Sequence, residues 1–459
     1  MSQRDYVRLR LSRRGFLATT TGLVAVAGAG LRPSMAAPIP ADRERPNGYG
    51  AAGAGQTEPF WGKHQGGIAT TPVQGHTYFA AFDLAAIHRD DVANLLRAWT
   101  AAGARMGQGR TAQTLAGRLK SVAAGGDTAP TEGYGAAPQP GAAPAADSGE
   151  ALGLPPARLT ITFGFGAGLF VKDGKDRYGL AARRPDALVD MPRFAGDELV
   201  AAHTGGDLSV QACADDPQVA FHAVRQLARI AGDTARIRWA QAGFTPRPPA
   251  KETPRNLMGF MDGTINPPVA DPAAMNEFVW ADHKGPAWMR GGSYVVVRRI
   301  RIALEHWDRM NVAFQEQTIG RHKYSGAPLG KTHEFDSLDL KATDRDGNPI
   351  IPENAHVRLA AAASNGGAQI LRRGYSYNNG VDLTAERWPP WRQGLEYDAG
   401  LLFVAYQRDP RAGFIRIFER MSKLDMMNQF VTHVGGGLFA CPPGAAQDEF
   451  IGQRLFESL

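Results

Sequence analysis

LSVQACADDPQVAFHAVRQLARIAGDTARIRWAQAGF, residues 208–244, reads as a strand, a helix and a second strand. Leu208–Cys213 alternates with period two, the mark of a strand buried on one face. Pro217–Ala231 carries Val219, Val224 and Leu227 at amphipathic helical spacing. Arg236–Phe244 returns to a strand-like pattern. Upstream, Thr77–Asp83 and Leu159–Phe165 read as strands, Asp90–Ala102 as a helix, and Asp186–Leu188 as the opening of a short helical segment. A Pro-rich polar stretch, Thr245–Thr253, marks a boundary. Beyond it the rhythm returns. Ser293–Ile302, Tyr375–Asn378 and Leu401–Tyr406 read as strands, and Leu304–Phe314 and Phe414–Leu424 as helices. Strands and helices mixed without a strict βαβ cadence predict an α+β fold with antiparallel sheets, in two related halves.

Composition narrows the function. The chain has 459 residues, 43% hydrophobic and 21% charged, enough for two or three domains and unlike a disordered protein. Two cysteines, Cys213 and Cys441, exclude cysteine-rich zinc and iron–sulfur sites, and no CxxCH attaches a c-type haem. The net charge of +6 is concentrated in residues 1–36, whose six arginines and single acid leave the remainder almost neutral. No basic patch points to nucleic acid. Ser12-Arg13-Arg14-Gly15-Phe16-Leu17, an apolar stretch to Gly30 and the small residues Ser34-Met35-Ala36 form a twin-arginine export signal. That predicts a periplasmic or extracytoplasmic protein exported folded, without stable membrane insertion. The expected layout is a signal peptide at 1–36, a flexible mature N-terminus at 37–58, a first domain at 59–245 and a second at 246–459. A low-complexity insertion interrupts the first at about 103–154.

HExxH, GxSxG, Walker A and CxxC signatures are absent. Gly259-Phe260-Met261-Asp262-Gly263-Thr264 sets a carboxylate on a glycine-flanked turn, where backbone can approach a flat ligand. Arg372-Arg373-Gly374 offers two guanidiniums just before a strand, fit to clamp an anion or peroxide. Of eleven histidines, His64, His356 and His433 are rival metal ligands, and residue chemistry alone does not choose among them.

Five stretches carry a family likeness: FWGKHQGGIATT (60–71), GFMDGTINP (259–267), QTIGRHKYSGAPLG (317–330), NAHVRL (354–359) and LRRGYSY (371–377). In this order, behind a twin-arginine leader, they resemble the dye-decolourising (DyP-type) haem peroxidases, especially the exported deferrochelatase/peroxidase branch of bacterial iron uptake. The resemblance implies two ferredoxin-like domains, with one non-covalent haem b held mainly by the second. It implies His356 as proximal iron ligand, Asp262 as distal acid–base residue and Arg372 as distal arginine, with Arg373 its rival. Gly263, Thr264, Ile265, Ala361, Ala362 and Ala363 would line the haem. The Ala-rich run after His356 departs from the Asn-Pro-Arg-like sequence of relatives, so propionate contacts there are not carried over.

The implied reaction is reduction of hydrogen peroxide with oxidation of dye-like, phenolic or porphyrin donors. An aspartate in the base's role implies an acidic working range, because free aspartate titrates near pH ~4. The alternative is an iron-acquisition protein that releases iron from haem, working beside iron-uptake components. Homo-oligomers are common in the family. Trp280, Trp288, Trp388, Trp391, Tyr375, Tyr377 and Tyr397 are available as electron-transfer residues, and none is singled out.

Overall fold

The structure, a computed structural model, describes residues 55–114, 146–247, 253–385 and 393–457. The leader, residues 37–54, the bulk of the low-complexity insertion, and Trp388 and Trp391 lie outside the described residues. The first half runs β1 (His76–Leu84), α1 (Arg89–Met106), β2 (Thr160–Gly166), β3 (Leu208–Ala214), α2 (Pro217–Ala231) and β4 (Ala235–Phe244). Its strands lie antiparallel in the order β2-β3-β1-β4, the ferredoxin-like arrangement. Helix α2 starts where it does because the Asp216 carboxylate accepts from the amides of Gln218 and Val219, with Pro217 in the first turn. It ends before Gly232, which has φ +53°. Its apolar face and that of α1 meet one face of the sheet. There Trp99 is wholly buried against Phe82 and Phe163, and its indole N–H donates to Leu227 O at 2.8 Å.

The second half comprises β5 (Ser293–Ile302), a two-residue β6 (Leu371–Arg372), β7 (Tyr375–Ala385), β8 (Gln393–Gln407), the helix Arg416–Leu424 and β9 (Val431–Cys441). Leaving β6 aside, its order is β9-β5-β8-β7, the same ferredoxin-like topology. The two halves close on each other. Phe165 and Gly166 of β2 pair with Ala440 and Phe439 of β9, and Phe244 of β4 pairs with Ser376 of β7. Eight strands thus form a closed barrel, which leaves no sheet edge between the halves.

Alternation divides each strand between barrel interior and outer face. Phe79, Ala81, Val295, Val297, Leu402, Val404 and Phe439 fill the interior. Polar groups also cross it from one half to the other. Tyr406 Oη donates to Gln211 Oε1 at 2.6 Å, Tyr375 Oη to Cys213 Sγ at 3.5 Å, and Arg373 Nη1 to Thr70 O at 2.6 Å. Cys213 and Cys441 are buried free thiols. Tyr375 and Tyr377 are fully buried, Trp280 and Trp288 nearly so, and Tyr397 is exposed.

Two readings of local structure need correction, and one strand went unread. Leu304–Phe314 is not one helix: Asn311 accepts from Phe314 N at 2.9 Å and caps a new helix, Val312–Ile319, after the turn Leu304–Asp308 closes. Asp186–Leu188 forms a turn and no helix. Strand β9, with Gly435-Gly436-Gly437 in its middle, has no strand signal in its sequence, because glycine lacks the side chain that makes alternation visible.

Candidate active site

The connections from β4 to β5 and from β5 to β6 are long, and both fold over the outer face of the second half's sheet. Between these connections and the sheet lies a deep, mostly apolar cavity. Its floor is the outward set of strand residues: Ile300 and Ile302, Leu401 and Phe403, Val431 and His433. Its roof is the 254–267 segment with the short helix His356–Ala360, and Phe414, Ile417, Phe418 and Met421 close one end.

The same alternation separates the paired arginines. Leu371 and Arg373 point inward, while Arg372 faces the cavity. Asn266 fixes Arg372 from both sides: Asn266 Oδ1 accepts from Arg372 N and Asn266 Nδ2 donates to Arg372 O, both at 3.0 Å. Arg372 Nη1 then donates to Asp262 Oδ1 at 2.9 Å, and its Nη2 donates to Ile265 O at 3.1 Å. Asp262 sits on a turn that Gly263 permits, with φ +127°. The turn is tied down by Asp262 N donating to Pro254 O, and Asn256 Oδ1 accepts from the amides of Met258 and Phe260.

His356 lines the same cavity. Its Nδ1 lies 2.7 Å from Oδ2 of Asp425, a carboxylate almost fully removed from solvent. The other oxygen, Oδ1, accepts from Met427 N at 2.8 Å, so both oxygens are committed. Burial alone would push the imidazole's pKa down. The charge and hydrogen bond of Asp425 outweigh burial and hold it above the ordinary histidine value. A carboxylate on Nδ1 selects the tautomer with its proton there, and so presents the lone pair of Nε2, as in histidines that ligate metals.

Gly263, Thr264, Ile265, Ala361 and Ala362 stand in the cavity wall with Asp262, Arg372 and His356. Ala363 is exposed and outside the wall, because the chain turns away in a 3₁₀ turn at Ala362–Ser364. Arg373 is not a wall residue either, since its strand position sends it to the barrel interior. Among the rival histidines, His433 joins His356 in the cavity. His64 lies elsewhere, stacked 3.7 Å from the ring of Trp280 and bonded to Gly291 O. Asp425 and Asn266 went unassigned at the level of sequence. Asp425 is 69 residues from its histidine and Asn266 is 106 from its arginine, so no local spacing announces either pair.

Small residues (Ala360, Ala361, Ala362, Ala368, Gly374) beside aromatic side chains make a lining that suits a planar macrocycle. His356 lines this cavity with Nδ1 committed to Asp425, which leaves Nε2 as its free nitrogen. Fold and site together define a haem-protein cavity that brings a carboxylate-backed histidine and an acid–arginine pair together.

Comparison with known proteins agrees. Residues 65–245 match the model of the N-terminal domain of Dyp-type peroxidases, and residues 253–446 that of the C-terminal domain. A dye-decolorizing peroxidase of Thermobifida fusca is 37% identical over the whole of both chains. A deferrochelatase of Shigella flexneri is 36% identical over 88% of each. Among solved structures, a DyP-type peroxidase from Streptomyces coelicolor superposes with a TM-score of 0.75 at 39% identity, covering 88% of this chain and 98% of its own. Ferric DtpA from Streptomyces lividans gives 0.74 and 39% over the same shares. The chain belongs to the Dyp-type peroxidase family. It is a haem b-dependent peroxidase that reduces hydrogen peroxide at the expense of a reductant.

Proposed function

We propose that His356 holds the haem iron, that Asp262 moves the proton of peroxide, and that Arg372 supports the charge that develops as the oxygen–oxygen bond breaks. The observation that carries this assignment is the convergence of one carboxylate-backed histidine and one carboxylate–arginine pair on a single apolar cavity. When bound, haem would supply the redox chemistry, an iron able to take peroxide and give up the two electrons that reduce it. Asp425 holds the His356 ring in orientation and tautomer. Asp262 Oδ1 is occupied by Arg372, leaving Oδ2, with only a long 3.4 Å approach from Asn256 Nδ2, to take a proton from one peroxide oxygen and return it to the departing one. Arg372 is pre-positioned by Asn266, so little reorganisation is needed when the departing oxygen turns anionic.

Stopped-flow absorption after one equivalent of hydrogen peroxide tests the roles. His356→Ala is expected to lose the Soret band of the purified protein. Asp262→Asn and Arg372→Leu are expected to keep the band and slow the peroxide reaction by roughly 10²–10³-fold. An Asp262→Asn enzyme reacting at the wild-type rate would sink its assignment. The twin-arginine leader supports an extracytoplasmic setting, reached after folding and cofactor loading. Relatives named deferrochelatase support a second reading, release of iron from haem within an iron-uptake system. Recovery of metal-free porphyrin from haem-loaded protein would decide for it.

A further inference from the structure

His433 is built into the cavity in a way the peroxide chemistry does not use. It reaches the cavity face through a β-bulge: Arg299 pairs with Gly435 but Ile300 with His433, so Val434 is an extra residue in β9. Without that insertion the alternation set by Gly437, Phe439 and Cys441 would send His433 to the barrel interior. The bulge delivers an imidazole into a wall otherwise made of Ile300, Ile302, Phe403, Phe418 and Val431.

The ring is 93% buried, at 7% exposure, and packs 4.5 Å from the ring of Phe418. Its Nδ1 is sealed from solvent with no hydrogen-bond partner. Behind it sits Arg298, also buried, within 6 Å of the rings of Phe194, Phe414 and Phe418 and paired with Asp197 at 3.3 Å. A buried nitrogen without an acceptor, next to a guanidinium, is better off carrying its lone pair than a proton. The proton then belongs on Nε2, at the edge of the ring that meets the cavity. Burial and the Arg298 charge push the imidazole down to about 3, so the ring stays neutral and remains a donor with nothing to donate to.

The other strong donors of the wall are engaged. Arg255 donates to the carbonyls of Gly259, Lys323 and Tyr324, Arg321 to those of Gly326 and Glu334, and Arg372 to Asp262 and Ile265. At His433 the cavity also abuts a second, more polar one. Phe418, Asp425, Asn428, Val431 and His433 line both, and the second includes Lys423 and Gln429. An anionic group resting on His433 would therefore have a polar way out on its far side.

We propose that His433 is a recognition residue for a carboxylate on the rim of the cofactor, donating from Nε2 to one haem propionate. The assignment rests on the haem reading of the cavity and adds to it a residue that selects the carboxylate edge. It also supplies a contact that the Ala-rich run after His356 cannot make.

The test compares haemin with haemin dimethyl ester, which keeps the macrocycle and the iron but removes the anionic oxygens. Apoprotein is titrated with each and the Soret absorbance gives the two affinities, for wild type, His433→Gln and His433→Leu. Wild type is expected to bind the free acid about tenfold more tightly than the ester, the size of one hydrogen bond to a charged group. His433→Gln, which keeps an N–H, should retain most of that ratio, and His433→Leu should bring it close to one. A wild-type ratio already near one overturns the proposal without any variant. So does a His433→Leu ratio equal to that of wild type. Wild-type apoprotein that gives no Soret band with either porphyrin would instead refute the haem reading beneath it.

Discussion

Asp425→Asn tests whether the buried carboxylate beneath His356 works as one unit with it. Each oxygen of Asp425 accepts one hydrogen bond: Oδ2 from His356 Nδ1 at 2.7 Å and Oδ1 from Met427 N at 2.8 Å. Asparagine has the same shape but a single acceptor. If its oxygen faces His356, its amide opposes the N–H of Met427 and the cap of the following turn is lost, at about 1 kcal/mol. If its oxygen faces Met427, two donors meet at His356 and the ring loses what holds its tautomer. In either orientation the charge is gone. A hydrogen bond to a charged group contributes about 1.5–3 kcal/mol, equivalent to roughly a ten- to hundredfold loss of haem affinity. The measurement is a haemin titration of wild-type and variant apoprotein, with urea unfolding of both alongside. The expected result is haem affinity lowered by at least about tenfold, with apoprotein stability lowered by only about 1 kcal/mol. Equal haemin affinity in the two proteins would refute the claim that Asp425 positions the ligand. A collapse in stability with no specific loss of affinity would make it a packing residue.

Three further outcomes are expected. Asn266→Ala removes both hydrogen bonds that clasp the backbone of Arg372. It should slow the peroxide reaction by about tenfold while leaving the Soret band unchanged, and a wild-type rate would show that β6 alone places the arginine. Burial would raise the Glu150 carboxyl, but the Ser148 hydroxyl, its own amide and His222 draw it from 4.5 down to about 2. A depressed acid stabilises the fold fully above about pH 4.5 and loses that contribution as pH falls towards 2. The thermal midpoint of Glu150→Gln should therefore lie below that of wild type at pH 6 and converge on it towards pH 2.5, and a gap constant with pH would exclude the mechanism. Trp99→Ala should cost about 3–5 kcal/mol in urea unfolding, since it empties the space between α1, α2 and the sheet and removes the indole's hydrogen bond to Leu227 O.

Much of this was legible in the residues. The strand–helix–strand run 208–244 appears as read, because its apolar spacing changes cleanly from period two to period 3.6 and back. The GFMDGTINP and LRRGYSY motifs pointed to Asp262 and Arg372, and strand alternation, visible in the structure alone, puts Arg372 and not Arg373 in the cavity wall. Closure of the barrel was not legible, since three paired positions between distant strands leave no periodic trace. Asp425 escaped for a related reason, and His433, read only as a rival metal ligand, gave no sign of how it reaches the cavity wall. One contributes through a contact across 69 residues, the other through a one-residue bulge among glycines.

The joints of the barrel are narrow. The halves share one paired position at β4–β7 and two at β2–β9, so interior side chains do much of the holding: Tyr406 to Gln211, Tyr375 to Cys213, Arg373 to Thr70. A chain cut between the halves would leave Gln211 without its tyrosine on one side, and a stranded phenol and guanidinium on the other. Open strands would flank both. The haem-bearing half is therefore not a portable module. Its strands are completed only when β9, at the far end of the chain, has paired with β5 and met β2. A cavity able to retain its cofactor therefore depends on β9, the last strand among the described residues, being in place.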